Sequence, residues 1–434
     1  MRFDTLDQWL AWQETLHPSE IDLGLARVAK VYQQLSVDIP DYKVITVAGT
    51  NGKGSSVAML GAILQAAGYR VGSYTSPHLL RYNERVLLNG EEVDDQALCD
   101  AFERVDQARG GVSLSYFEFG TLAALDIFNH NQLDIVILEV GLGGRLDAVN
   151  IVDPDVALIT NVGIDHQEWL GDNLESIGFE KAGIMRAGRP AVFAGSEPPR
   201  SLVEHADKLN AQLFCLERDF SYEATDSGWR WKGPYGRREA LPMPSMRGAF
   251  QQQNAAGVLM ALASLKDSLS VSQAAVRSGL LQAQAVGRFQ IISTPLRQIL
   301  DVGHNPDAAG QLKANLQEID CLGRTRAVFA MMADKDIETV IETIQPMIDH
   351  WYIGDLPMPR AEGKEQLCSL LAKYGVTDVT SGDSVAAVYR QALADAGPAD
   401  QIVVFGSFFT VSAVMEEMES LTLKQDEEQR WNII

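Results

Sequence analysis

The run Gly49-Thr50-Asn51-Gly52-Lys53-Gly54-Ser55 follows the apolar stretch Val44-Ile45-Thr46-Val47-Ala48 and opens an amphipathic one. No other part of the chain constrains the fold as much. A buried strand must end there and a helix must begin within a few residues. Three glycines let the backbone close on an anion, successive N–H groups can converge on phosphate oxygens, and Lys53 adds a cation at a helix start. The strict phosphate-loop pattern places a glycine where Val47 stands and a hydroxyl where Gly54 stands, so this loop is a variant. Val57, Leu60, Leu64 and Ala67 recur at helical spacing, Gly68 supplies a stop, and Val71 to Tyr74 reads as the next strand. The unit is strand, loop, helix and strand, of parallel-sheet type.

With 434 residues, 46% hydrophobic and 22% charged, the chain has material for two or three domains with substantial cores. Its net charge of −22 argues against a broad nucleic-acid or anionic-membrane surface, so a nucleotide must be held locally. Cys99, Cys215, Cys321 and Cys368 are scattered, without zinc-type spacing. The first residues lack the basic and apolar regions of a signal peptide, and no apolar run approaches the roughly twenty residues of a membrane span. A cytoplasmic protein with reduced thiols is the expectation.

From residue 41 to about 195, strand-like runs (Val44–Val47, Ile135–Val140, Val156–Thr160) alternate with helical ones. Residues 196 to 245, with Trp229, Trp231, Pro234 and Pro242-Met243-Pro244, read as irregular or short antiparallel structure. Helices are expected over Asn254–Leu265 and from Ser272 to about Gln284. Near Gly287 a new unit begins. Phe289 to Ile292, a turn at Thr294-Pro295 and Gln298 to Val302 read as a hairpin, followed by strands at Ala327–Met331, Trp351–Ile353 and Ile402–Phe405. The tail from Lys424 to Ile434 is charged and reads as frayed. The fold class is therefore α/β, with a larger N-terminal parallel-sheet domain of phosphate-loop type over 1–287 and a smaller Rossmann-like α/β domain over 288–434.

Two further strand ends carry chemistry. Ile135 to Leu138 runs into Glu139-Val140-Gly141-Leu142-Gly143-Gly144-Arg145, and a carboxylate at the carboxyl end of a buried strand suits a metal or a substrate. Taken alone, Glu139 could equally be the first solvated residue after a core strand. Ile159 to His166 delivers Asp165 and His166 to the same rim, a pair that elsewhere is often a hydrogen bond or a cap. Glu180-Lys181-Ala182-Gly183 follows, and by itself could be a solvated helix face.

Together with Thr75-Ser76-Pro77-His78-Leu79, Gly287-Arg288-Phe289 and Asp301 to Pro306, these segments resemble the dihydrofolate synthase/folylpolyglutamate synthase family, a branch of the ATP-dependent amide ligases that includes the Mur ligases. The resemblance covers nearly the whole chain. It implies that Gly52, Lys53, Gly54 and Ser55 hold ATP with Asn254, Arg288 and Asp301. It implies that Ser55, Ser76, Glu139, His166 and Lys181 hold magnesium, with two ions expected and a monovalent cation besides. Lys181 matches a lysine that the family carries N-carboxylated. Lys53, Lys181, His304 and Ser407 match catalytic positions. Asp22, Leu23, Gly24 and Leu25, with Ser115, Tyr116, Phe117, Glu118, Leu146, Asp147 and Ala148, match the pterin-acid site of members that accept dihydropteroate. Two departures stand out: Gly303 where alanine is frequent, and Phe409 where relatives often carry histidine.

The implied activity is an ATP-dependent ligase adding L-glutamate to 7,8-dihydropteroate and extending reduced folates to polyglutamates through an acyl phosphate. A monomer acting on small molecules, without nucleic-acid or membrane partners, is expected. The rival readings are a Mur-type ligase of cell-wall precursors, for which only about 40 residues precede the loop, and a nucleotide-dependent switch that makes no bond. A dinucleotide-binding dehydrogenase suits Lys53 less well.

Overall fold

A computed structural model describes residues 2–19, 21–35, 41–225, 228–293 and 296–431, with 424–431 as backbone only. The chain divides into two compact units: Met1–Ser245 with Ala249–Gln284, and Met246–Gly248 with Ala285–Ile434.

The first unit is built on eight strands: β1 (Lys43–Ala48), β2 (Val71–Tyr74), β3 (Val86–Leu88), β4 (Glu91–Glu92), β5 (Ile135–Glu139), β6 (Val156–Ile159), β7 (Pro190–Phe193) and β8 (Gln212–Cys215). Their order is β4-β3-β2-β5-β1-β6-β7-β8. All pairings from β2 through β8 are parallel, while β3 and β4 add an antiparallel edge. Every residue of β5 and all but Lys43 of β1 are buried, as strands covered by helices on both faces require. Trp9, Phe102 and Phe119 are fully buried in one aromatic cluster, in which Trp12 also packs. In the stretch 196–245, read as irregular or short antiparallel structure, the antiparallel alternative holds: β9 (Ser221–Thr225), β10 (Gly228–Gly233) and β11 (Gly236–Leu241) form a separate antiparallel sheet, and before it the helix Arg200–Leu209, which was not expected, leads into β8. Trp229 and Trp231 alternate with exposed Arg230 and Lys232, a half-buried pattern of period two.

The second unit holds β12 (Gln290–Ile292), β13 (Arg297–Leu300), β14 (Thr325–Phe329), β15 (His350–Gly354), β16 (Val379–Gly382) and β17 (Gln401–Phe405), ordered β12-β13-β17-β14-β15-β16. Only β12 runs antiparallel, so the expected hairpin forms; its turn at Thr294-Pro295 lies outside the described residues. Phe329, Trp351 and Phe405 pack ring to ring in its core. The expected frayed tail is corrected: one helix runs Phe408–Trp431, and residues 432–434 lie outside the described ones.

Candidate functional site

Strand β1 lies between β5 and β6, so the loop at its tip is flanked by the ends of both neighbours. Gly49 leaves the strand at φ 153, where an added Cβ would stand 1.8 Å from Thr160 Oγ1. Thr160 Oγ1 donates instead to Asn51 O, at 2.5 Å. Thr50 Oγ1 donates to Gly163 O at 3.0 Å and accepts from Gly163 N at 2.9 Å, while Asn51 N donates to Asn161 Oδ1 at 2.9 Å. These bonds pin the loop from the β6 side. Gly52, at φ 82, is the N-cap of the helix Lys53–Ala66 and brings no capping side chain, so the N-terminal end of the helix, with its positive dipole, faces the loop. Lys53 Nζ donates to Gly49 O at 3.0 Å and Thr50 O at 3.4 Å, folding back over the loop.

The other predicted residues of this unit gather unevenly. Ser55 is buried and accepts from Gln251 Nε2 at 3.2 Å; Asn254, three residues along the same helix, donates from Nδ2 to Gln251 Oε1 at 3.2 Å. The Asn254 carboxamide stands against Gly52, where a Cβ would come within 2.6 Å of Oδ1. Glu139, buried at the end of β5, accepts from Ser76 N at 3.4 Å, so strand adjacency joins Ser76 and Glu139. Asp165 Oδ1 accepts from His166 N, and His166 adopts φ 52 at the start of a short helix.

Lys181 is buried, contrary to what a solvated helix face would give. The helix Leu174–Ala182 reaches the site because Gly144 and Gly183 allow close approach: a Cβ on Gly144 would meet Glu180 O at 2.8 Å, and one on Gly183 would meet Arg145 Cβ at 2.3 Å. Arg145 then clamps the helix through Glu180 O and Oε1, both at 2.8 Å. Burial and the nearby Lys53 charge lower the Lys181 amine from 10.5 to about 7, against the pull of Asp165 and Asp147. Burial raises Asp147 from 3.8 to about 7, although it accepts backbone bonds from Leu142, Val149 and Gly141 and feels Lys53. Two cations and buried acid thus influence one another beside the phosphate loop.

Most residues matched to the pterin site are tied into internal contacts. Ser115 and Glu118 form the capping box of the helix Tyr116–Asn129. Buried Glu118 also accepts from Arg27 Nη2 at 3.0 Å, and Arg27 Nη1 pairs with Asp22 Oδ2 at 2.7 Å, which His17 Nε2 approaches at 3.1 Å. Arg27 is therefore the bridge between Asp22 and Glu118, and sequence reasoning missed it. Leu23, Gly24, Leu25 and Leu146 are half-buried and Ala148 is buried. Phe117 lies under Gly141, and Tyr116 stands 5.5 Å from the Arg85 guanidinium.

In the second unit, Asp301 Oδ1 accepts from Gly303 N at 2.7 Å and Oδ2 from Phe289 N at 3.0 Å, and burial raises its carboxyl above the usual range. Arg288 lies 4.9 Å from the Phe408 ring, and the His304 ring 6.3 Å from it. His304 Nδ1 donates to Val302 O at 2.9 Å, since a carbonyl can only accept. Ser407 is buried, its Oγ accepting from Thr410 N at 3.0 Å and paired with Thr410 Oγ1 at 2.7 Å. Phe409 is 46% exposed.

A chain with this loop and these flanking carboxylates can be compared with known proteins. It is 45% identical over 415 residues to the dihydrofolate synthase/folylpolyglutamate synthase of Escherichia coli (strain K12), covering 96% of each chain. It belongs to the dihydrofolate synthase/folylpolyglutamate synthase family. A second family member, from Haemophilus influenzae, is 40% identical over 426 residues, covering 94% of this chain and 96% of that one. Residues 113–214 match the Mur ligase middle domain and 287–408 the Mur ligase, glutamate ligase domain. Among solved members of the synthase family, E. coli FolC in complex with DHPP and ADP superposes with a TM-score of 0.91 at 45% identity, covering 96% of this chain and 99% of that one. A bifunctional folylpolyglutamate synthase/dihydrofolate synthase with Mn, AMPPNP and L-glutamate bound gives 0.89 at 43% identity, covering 96% and 98%.

Proposed function

We propose that this chain is an ATP-dependent ligase that joins L-glutamate to 7,8-dihydropteroate and extends reduced folates to polyglutamates. The observation that carries the reading is the match over 96% of the chain to proteins of that name, two of whose solved relatives hold DHPP with ADP, and AMPPNP with L-glutamate.

The residues fit the chemistry in the first unit. A carboxylate is a poor electrophile, so the pterin acid must first take a phosphoryl group from ATP. The N-terminal end of Lys53–Ala66, uncapped by any side chain at Gly52, suits with Lys53 the negative charge that this transfer concentrates. The glutamate amine then attacks the acyl phosphate and phosphate departs. A hard divalent cation takes oxygen ligands, and the Ser55 hydroxyl and the Glu139 carboxylate beside the loop offer them. In this proposal Ser55, Ser76, Glu139, His166 and N-carboxylated Lys181 hold two magnesium ions, which neutralise phosphate charge. Gly52, Lys53, Gly54, Ser55 and Asn254 bind ATP together with Arg288 and Asp301, while His304 and Ser407 serve catalysis or the incoming glutamate. The buried Ser407 hydroxyl, engaged by Thr410, suits a role in shaping backbone more than one in direct attack. Asp22 to Leu25, Ser115 to Glu118 and Leu146 to Ala148 form the pterin region, with Arg27 added as the group that holds Asp22 and Glu118 in place. A monomer in the cytoplasm, with a monovalent cation at the site, completes the proposal; the four free cysteines suit a reducing compartment.

The purified chain is incubated with ATP, magnesium, glutamate and either dihydropteroate or tetrahydrofolate, and the products are weighed. A mass gain of one glutamate on each acceptor is expected; gain on neither overturns the reading. With oxygen-18 in the acceptor carboxylate, one label should appear in inorganic phosphate.

A further inference from the structure

Gln251 takes part in none of the roles assigned above, yet it is 0% exposed at the start of the helix Ala249–Ser264. Burying a primary amide is costly unless both its ends find partners. Gln251 has one for each end. Its Nε2 donates to Ser55 Oγ at 3.2 Å, and its Oε1 accepts from Asn254 Nδ2 at 3.2 Å. An apolar side chain of the same volume would fill this space between two helices without any such requirement.

Both partners belong to the nucleotide set. Ser55 lies one turn into the helix that leaves the phosphate loop; Asn254 stands against Gly52, the cap of that same helix. The spacing explains how one amide serves both. Positions 251 and 254 are three apart on a helix and share a face, so Gln251 meets Asn254 along its own helix while reaching across to Ser55. The direction of the bond matters as well. With Nε2–H occupying one lone pair of Ser55 Oγ, the hydroxyl keeps its other lone pair and its proton for groups outside the protein, and its rotation is restricted. Asn254, with one N–H held by Gln251, keeps its carboxamide plane fixed against the loop.

We propose that Gln251 is a positioning residue: it orients the Ser55 hydroxyl toward the metal–nucleotide complex and locks Asn254 against the phosphate loop, without touching either substrate. The inference rests on the nucleotide-site part of the proposed function and deepens it. Partners that orient a metal ligand from behind typically change metal affinity by about 10–100-fold when removed.

The test reads binding without turnover. Mn2+ with ADP is titrated into the full chain, and bound Mn2+ is followed by electron paramagnetic resonance in the wild type, Gln251→Leu, Ser55→Ala and the double variant. Leucine fills the volume without polar atoms, so Gln251→Leu should fold and should raise the dissociation constant of Mn2+·ADP about tenfold or more. Because Gln251 acts partly through Ser55 and partly through Asn254, the double variant should lose clearly less affinity than the product of the two single losses. Independent, multiplying effects overturn the proposal, as does a Gln251→Leu constant within about twofold of the wild type. Should Gln251→Leu not fold, Gln251→Glu replaces it in the same cycle, because a carboxylate keeps the acceptor for Asn254 but cannot donate to Ser55. In initial rates, Gln251→Leu should raise half-saturating magnesium while leaving the KM for dihydropteroate unchanged; a residue with a merely structural role would lower thermal stability and move neither binding constant. The outcomes also separate from those of the broader reading. A wild type that binds Mn2+·ADP but makes no folate product sinks the substrate assignment and leaves Gln251 to be decided by the cycle. One that makes product with an additive cycle sinks Gln251 alone.

Discussion

At pH 7 an ordinary exposed lysine is neutral in about one molecule in three thousand, whereas an amine with a pKa of about 7, as at buried Lys181, is neutral in about half. Only the neutral amine has a lone pair for carbon dioxide. Burial therefore raises the reactive fraction about a thousandfold. In the step itself the nitrogen lone pair forms a bond to the carbon of CO2, one C=O π pair moves to oxygen, and the amine releases one proton, leaving a carbamate of charge −1. The expected behaviour is that 13C-labelled bicarbonate yields a carbamate resonance in the wild type and none in Lys181→Ala, and that this resonance and turnover fade together as pH falls through about 7. A second readout comes from stability. A lysine whose folded pKa lies below its unfolded value opposes folding most where both states are protonated, and the penalty fades as pH rises toward the unfolded value. Lowering from 10.5 to about 7 corresponds to a penalty on the order of 5 kcal/mol, already net of the favourable Asp165 and Asp147 contacts. In buffer stripped of CO2, Lys181→Met should accordingly unfold at a higher temperature than the wild type at pH 6, with the gap closing toward pH 10. Full activity after exhaustive CO2 removal, no carbamate signal and an active Lys181→Ala variant would together refute the reasoning.

Lys53→Ala should abolish product formation while costing no more than about 1–2 kcal/mol in denaturant unfolding, because the Lys53 bonds to the Gly49 and Thr50 carbonyls are of the modest net strength usual for such bonds; normal turnover would remove it from the phosphate site. The same substitution deletes a cation that holds the Lys181 pKa down, so the pH at which the carbamate signal is half lost should move upward. Gly49→Ala should cost about 2 kcal/mol or more, since its Cβ would fall 1.8 Å from Thr160 Oγ1 at a φ that side chains rarely adopt. An unchanged unfolding midpoint would show that the loop is less constrained than its hydrogen bonds indicate.

Elements with a local signal were legible in the sequence. The glycine run between an apolar strand and a periodic helix identified β1, the loop and Lys53–Ala66, because every residue involved lies within about two dozen positions. Partnerships across long separations were not. Arg27 and Glu118 are 91 residues apart and Gln251 and Ser55 are 196 apart, so only the folded chain brings them together. Some signals were present and unread: Ser115-Tyr116-Phe117-Glu118 before an apolar run has the spacing of a capping box, and the structure uses both side chains in that way. The burial of Lys181 had no sequence signature of its own. It depends on two glycines, Gly144 and Gly183, that let a helix and a loop from different parts of the chain approach within backbone contact. The charged tail read as frayed because its residues lack apolar periodicity, yet the helix that begins at Phe408 continues as far as Trp431.

The central place of β1 bears on how the protein matures. Its hydrogen-bonded neighbours β5 and β6 begin 92 and 113 residues further along the chain, and Thr50 exchanges bonds with Gly163. Contacts of that span form late in folding, because a long loop must be closed before they contribute. A nascent chain that has emerged only as far as residue 130 holds the entire glycine run and lacks both walls that shape it. Nucleotide affinity should therefore be absent until β6 joins the sheet, which makes the first binding of a fluorescent nucleotide a marker for the assembly of this sheet on the ribosome.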